Sequence, residues 1–199
     1  NPTDGLEVWR SESGASGSWV RVAENGFNGD IHNGGISGGT VLGGELYLYS
    51  DNSAEGVTLW KMLAGGGWQQ VNTSGFGSAD NSMASGLAVL GEYLYAGTWN
   101  GATGGQIWRY DGTTWGVVTA DGFGDANNRM IRSLYTFNDN LYSVTFNHAT
   151  GAQTRVTRDG QIWRELNING FGTPHNYHTQ LSNASAAFNG HFFVGTVNR

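Results

Sequence analysis

The sequence predicts an all-β protein, a propeller of four blades with four short strands in each blade. The first observation is a repeat, in which a Gly-Phe step recurs at Phe27, Phe76, Phe123 and Phe171 with spacings of 49, 47 and 48 residues. A fixed period of this length is typical of solenoids and propellers. The second is the composition, with 33 Gly and 25 Trp, Tyr or Phe but only 2 Pro, which favours short strands and tight turns. The third is that no stretch has a sustained helical period of apolar residues.

Each period of about 48 residues is expected to supply four strands. In the second period the predicted strands are an outer strand at 68–72, an inner strand at 86–90 and two further strands at 93–98 and 106–110. The equivalent predicted strands are 19–23, 40–42, 45–50 and 58–62; 115–119, 133–137, 140–146 and 154–158; and 163–167, 185–188 and 191–197.

The two ends of the chain are expected to complete one blade. The isolated strand at 6–11 contains Val8-Trp9-Arg10, which aligns with Ile107-Trp108-Arg109 on the third strand of another copy. The segment 191–197 aligns with a second strand. We therefore predict one domain, 1–199, in which strand 6–11 completes the blade begun by the C-terminal strands and removes the open sheet edge. The alternatives are a fragment of a longer array and a half-ring that pairs with a second chain, so a homodimer or larger assembly stays open.

Composition and charge exclude several classes of partner. The net charge is −6, so a nucleic acid backbone or an anionic membrane surface would repel the chain. No apolar run approaches the ~20 residues that a spanning helix needs, so no membrane span is expected. The chain contains no cysteine, which excludes disulfides and thiol chemistry.

Most repeated residues have structural interpretations. Tryptophan recurs on the third and outer strands, where large rings fill the wedge between blades. In the Gly-Phe step, glycine supplies unusual backbone angles and phenylalanine closes the gap between blades. Asparagine recurs at two turns per copy, where it bonds to the local backbone; the alternative is a ring of asparagines around an ion or ligand. These asparagines are Asn33, Asn81, Asn128 and Asn176 at the crossover and Asn52, Asn100, Asn147 and Asn198 at the hairpin.

Two outer hairpins carry a partial family resemblance. The segments RYDGTTW at 109–115 and RDGQIW at 158–163 resemble the Asp-box hairpin of sialidase-like propellers, although glycine follows aspartate directly and the first two copies lack the aspartate. The repeat pattern as a whole resembles tachylectin and tectonin lectin repeats. The sialidase resemblance implies an arginine cluster, a tyrosine nucleophile and a glutamate partner. Only Arg129 and Arg132 lie in a crossover, so no catalytic residue is assigned.

Candidate ligand-binding residues lie in the loops where single copies depart from the repeat. The fourth crossover contains three additional residues and carries His175, Tyr177 and His178, while the first carries Asp30 and His32. Insertions on one face of a repeat protein often mark its binding side. Histidine with aspartate suits Zn²⁺, and the Asp/Asn/Gly crossovers offer oxygen ligands for Ca²⁺. Neither spacing identifies a metal.

Trp99 is a separate candidate. Its position is held by Asp51, Phe146 and Val197 in the other copies, so the scaffold does not require tryptophan there. Trp99 beside Asn100 combines a flat apolar face with planar hydrogen-bonding groups, as sugar sites do. The alternative is that Trp99 packs under its own loop.

The main functional prediction is a non-catalytic, lectin-like propeller that binds a glycan or another small polar ligand, in an extracellular or surface protein. Acidity, aromatic and Asn-rich loops and the lectin-repeat resemblance favour it. One alternative is a structural or protein-interaction propeller. Another is a glycoside hydrolase or lyase that acts from the loop face, which requires convergent carboxylates. The sequence alone identifies no such pair.

Overall fold

The computed structural model describes residues 4–177 and 185–198, and the chain within them is all-β, as predicted. The strands are β1 (Val8–Arg10), β2 (Val20–Ala23), β3 (Asn33–Leu42), β4 (Glu45–Asn52), β5 (Thr58–Met62), β6 (Trp68–Gln70), β7 (Asn81–Leu90), β8 (Tyr93–Asn100), β9 (Ile107–Tyr110), β10 (Trp115–Val117), β11 (Met130–Phe137), β12 (Asn140–Phe146), β13 (Thr154–Thr157), β14 (Arg164–Glu165), β15 (Asn176–Tyr177), β16 (Ser185–Phe188), β17 (His191–Val194) and β18 (Val197–Asn198). Within the described ranges, helical turns are limited to the 3₁₀ segments Ser74–Gly77, Asp121–Gly124 and Asn169–Gly172. None of them is long and apolar enough to cross a membrane.

The described residues contain three complete antiparallel meanders of the propeller-blade type. They are β3–β4–β5–β6, β7–β8–β9–β10 and β11–β12–β13–β14. The second and third share one sheet, because Met130 on β11 lies opposite Trp99 on β8. Each outer strand closes the sheet that precedes it in the chain, so β6 belongs with β3–β5.

The four-blade count and the closure of the ring stay predictions. In the described residues β1 pairs with β2, β16 with β17 and β15 with β18, each as a two-stranded sheet. The chain forms two compact units, 1–83 and 84–199, and the boundary between them falls inside β7.

Each unit has its own buried core. In the first unit, Phe27 stacks on the buried Trp60 with ring centroids 4.6 Å apart and meets the edge of Trp68 at 5.1 Å. In the second unit, Tyr95 and Ile107 pack with four other residues, Ala88, Ile131, Leu134 and Leu141. Trp9 and Trp19 differ from the wedge-filling expectation. Trp9 on β1 and Trp19 just before β2 are both half exposed, because the sheet β1–β2 is not part of a four-stranded meander in the described residues.

The crossover turns follow one local plan. In the second crossover Gly75 and Phe76 both have positive φ, +56° and +54°, so phenylalanine also takes the left-handed conformation that we expected of glycine alone. The Gly75 amide donates to the Val57 carbonyl at 2.8 Å, and Asn81 Nδ2 donates to the Gly75 carbonyl at 2.9 Å. The equivalent asparagine–glycine bonds recur at Asn33, Asn128 and Asn176. The crossover asparagines therefore bond to the local backbone, in agreement with the turn interpretation.

Candidate functional site

The candidate residues of the first crossover bond mainly to one another. Asp30 Oδ1 lies 2.9 Å from both the backbone nitrogen and Nδ1 of His32, and Asp30 Oδ2 accepts from Asn52 Nδ2 at 2.7 Å. Burial raises the pKa of Asp30, but the hydrogen bonds from His32 and Asn52 outweigh it and leave the pKa below its usual value. Asp30 therefore stays ionised and holds its own turn.

The candidates of the second unit have different surroundings. Asn100 is buried, and its Oδ1 accepts from the backbone amides of Ala102 and Thr103 at 3.0 and 2.9 Å, so it forms the hairpin turn. His175 is exposed. His178 lies outside the described residues. Among residues 4–177 and 185–198, no group of three or more His, Asp or Glu is arranged to hold a metal, and the Zn²⁺ and Ca²⁺ expectations stay predictions.

Two of the predicted residues meet in an aromatic cluster. Trp99 lies 5.9 Å from Phe146 between ring centroids, and Phe146 lies 5.8 Å from Tyr177. His148 lies 4.3 Å from both Phe146 and Tyr177. We call Trp99, Phe146, His148 and Tyr177 the loop-face cluster. Sequence analysis missed His148 and Phe146, although Phe146 occupies the same repeat position as Trp99.

A cavity that we did not predict lies at the other end of β8. Its volume is about 410 Å³, within the range of small-ligand sites. We call it the acidic cavity, and its lining residues are Leu90, Gly91, Glu92, Tyr93, Tyr95, Asp139, Arg158 and Asp159. A second cavity of about 350 Å³ shares Arg158 and Asp159 with it. Two cavities with a shared wall suit an extended ligand.

Three turns bring the carboxylates to this cavity. Glu92 lies between β7 and β8, Asp139 between β11 and β12, and Asp159 between β13 and β14. Sequence analysis assigned none of the three to a site, and Asp139 has the positive φ of a tight turn, +57°. The sequence nevertheless contains a signal for this site. At one repeat position the second and third copies have the acidic residues Glu92 and Asp139, whereas the first and fourth have Gly44 and Gly190.

Asp159 is held ionised by its own turn. Its Oδ1 accepts from the backbone amides of Ile162 and Gln161 and from the Thr157 hydroxyl, each at 2.9 Å. These bonds lower the pKa of Asp159, with the Ile162 amide as the largest contribution. Asp111 makes the equivalent turn in the blade before. For Glu92 and Asp139, by contrast, no hydrogen bond to the carboxylate is found within the described part of the chain.

Tyr95 adds a buried polar group to the cavity wall. Its side chain is fully buried, and within the described ranges its hydroxyl has no hydrogen-bond partner at bonding geometry. Burial raises the pKa of Tyr95, and the nearby Arg109 offsets this only in part. The Tyr95 hydroxyl packs against Gly160 of the Asp159–Gly160 turn, so it forms part of the inner wall of the cavity.

No family model and no curated protein sequence matches the chain. The solved structures with some likeness include GH43B of the Bacteroides ovatus xyloglucan PUL, at 11% identity and a TM-score of 0.48 over 82% of this chain. They also include an α-L-arabinofuranosidase from Clostridium thermocellum, at 12% identity and a TM-score of 0.41 over 87% of this chain. The chain spans 35% and 65% of the lengths of those two proteins.

These comparisons correct our main functional prediction. The non-catalytic, lectin-like interpretation is contradicted, because the similar structures are those of glycoside hydrolases, and the hydrolase alternative fits them better. The more specific resemblances to lectin repeats and Asp-box hairpins stay predictions.

Proposed function

We propose that the chain is part of a glycoside hydrolase and that the acidic cavity is its active site. The observation that carries the proposal is that Glu92, Asp139 and Asp159, from three turns of two blades, line one cavity. The substrate class is a polysaccharide, which suits two cavities with a shared wall. An extracellular or surface location is part of the same proposal.

The chemistry needs two carboxyl groups on either side of a glycosidic bond. One protonates the leaving oxygen, while the other activates a water molecule or attacks the sugar directly. We assign these roles to Glu92 and Asp139, because the Asp159 carboxylate already caps its own turn. Asp159 supplies a fixed negative charge, which stabilises the positive charge that develops on the sugar ring.

Other residues of the cavity would position the substrate. The exposed Arg158 offers N–H donors to sugar hydroxyls. Tyr93 presents an aromatic ring whose position is supported by Arg109, with the guanidinium carbon 4.6 Å from the ring centroid. An aromatic wall with a few polar groups is the usual composition of a small-ligand site.

Release of reducing ends from arabinan, xyloglucan and aryl glycosides by the purified chain tests the proposal. We expect Glu92→Gln and Asp139→Asn each to lower the rate by about 10²–10⁴-fold, the usual contribution of an acid or base. Asp111→Asn is the matched control, because Asp111 caps an equivalent turn but does not line the cavity.

Two results would contradict the proposal. The first is a parent chain that releases no sugar from any of these substrates. The second is hydrolysis that survives both Glu92→Gln and Asp139→Asn at the parent rate. A fall in activity with Asp111→Asn as large as with Glu92→Gln would assign the effect to folding rather than to catalysis.

A further inference from the structure

The loop-face cluster is separate from the acidic cavity. Tyr95 lines the cavity and Trp99 belongs to the cluster, and both lie on β8. Four residues of extended strand span about 13 Å. A ligand on the cluster therefore occupies a different place on the second unit from a ligand in the cavity.

The cluster is built as a supported platform. Phe146 is fully buried and forms its base, while Trp99 and Tyr177 are partly exposed and His148 is exposed. Trp99 contacts Phe146 of the next blade, and its Nε1 also lies 3.7 Å from the Cβ position of Gly101 in its own hairpin. Three segments contribute: β8 carries Trp99, the end of β12 and the residues after it carry Phe146 and His148, and β15 carries Tyr177. The partly exposed rings of these three segments form a surface on which the flat apolar side of a ligand can stack.

We propose that the loop-face cluster is a second glycan-binding site, distinct from the catalytic cavity. A sugar ring has an apolar C–H face, which stacks on Trp99 and Tyr177, and hydroxyls at its rim, which hydrogen-bond to the exposed imidazole of His148. The ligand is a polysaccharide, as in the proposed function on which this inference rests, but binding at the cluster does not depend on hydrolysis.

The test is the affinity for soluble arabinan, xyloglucan and polygalacturonate, measured by calorimetry on the full chain and on Glu92→Gln. We expect at least one of these polymers to bind both proteins with similar affinity. Trp99→Ala and Tyr177→Ala should each weaken that binding roughly tenfold, a loss of about 1.4 kcal/mol. Trp99→Phe should stay within about threefold of the parent, because the next copy already holds phenylalanine at this position. Trp19→Ala is the matched control, since Trp19 is half exposed in the other unit.

Several outcomes would overturn the proposal. Unchanged affinity in both Trp99→Ala and Tyr177→Ala removes the cluster as a binding site. Loss of binding in Glu92→Gln but not in Trp99→Ala assigns all binding to the cavity. A parent chain that binds none of the three polymers also ends the proposal. If Trp99→Ala does not fold, Trp99→Phe and His148→Ala decide, with His148→Ala expected to weaken binding and Trp99→Phe to keep it. Binding that persists where no hydrolysis occurs contradicts only the proposed function.

Discussion

At the scale of single residues, the wall of the acidic cavity depends on a glycine. Gly160 has φ +73° and lies directly against the Tyr95 hydroxyl, so that a Cβ atom at this position would collide with the phenol. Tyr95 itself belongs to the buried core of the second unit and has little room to move. The Asp159–Gly160 turn and the Tyr95 ring therefore fit only because Gly160 has no side chain.

Gly160→Ala is expected to destabilise the protein by about 3 kcal/mol. The left-handed backbone costs about 1–2 kcal/mol for a residue with a Cβ, and the overpacking against Tyr95 costs about 1–3 kcal/mol more. The measurement is urea unfolding followed by tryptophan fluorescence.

Gly112→Ala is the control for this prediction. Gly112 follows Asp111 in the equivalent turn and also has positive φ, +97°, but nothing lies within 4 Å of its Cβ position. We expect this variant to lose only the backbone cost, about 1–2 kcal/mol. Equal losses in the two variants would show that Tyr95 does not crowd Gly160 in solution.

At the scale of elements, the crossover turn shows where sequence reasoning succeeds. The recurrence of Gly-Phe and of asparagine six or seven residues later predicted a turn held by local hydrogen bonds, and the structure contains those bonds. The left-handed conformation of phenylalanine was not predicted, because bulky residues rarely adopt it. Three contacts of the folded turn together explain this conformation: the hydrogen bond of the glycine amide, the hydrogen bond of the asparagine side chain, and the packing of the phenylalanine ring. Phe123, for example, packs on Trp163 with ring centroids 5.6 Å apart.

The third crossover is the best place to measure this turn. Asn128 is fully buried, and its Nδ2 donates to the Gly122 carbonyl and to Gln153 Oε1, each at 2.9 Å. Its Oδ1 accepts from Thr145 Oγ1 at 3.0 Å and from Asn147 Nδ2 at 2.9 Å. Asn128→Ala leaves these buried partners unsatisfied, so we expect a loss of roughly 3 kcal/mol in unfolding free energy.

Asn176→Ala provides the comparison in the fourth crossover. Asn176 is only partly buried; its Nδ2 donates to the Gly170 carbonyl at 3.1 Å, and its Oδ1 accepts from Asn198 Nδ2 at 3.0 Å. With water available to its partners, the expected loss is about 1 kcal/mol. A larger loss at Asn176 than at Asn128 would contradict the view that burial sets the cost.

At the scale of the whole molecule, the repeat predicted the blades but not the face that carries the carboxylates. Periodicity identifies what all copies share, and so it located the strands and the turn asparagines. Glu92 and Asp139 were missed because acidic residues in two-residue turns have a sufficient local explanation. Only the pairing of β7 with β8 and of β11 with β12 in adjacent blades shows that the two turns border one cavity. Trp99 was found because it departs from its repeat position, and its neighbour His148 was missed because it lies outside the repeated positions.

The last prediction concerns the cooperativity of the chain. The boundary between the compact units, Met83 to Ala84, falls inside β7, so Asn81 to Met83 of this strand belong to the first unit and the rest to the second. Unfolding of either unit would therefore disorder part of β7, a strand that also belongs to the other unit. We therefore expect one calorimetric transition, with equal calorimetric and van't Hoff enthalpies. Two resolved transitions, or a van't Hoff enthalpy well below the calorimetric one, would instead show that β7 does not couple the units and that 1–199 behaves as two domains.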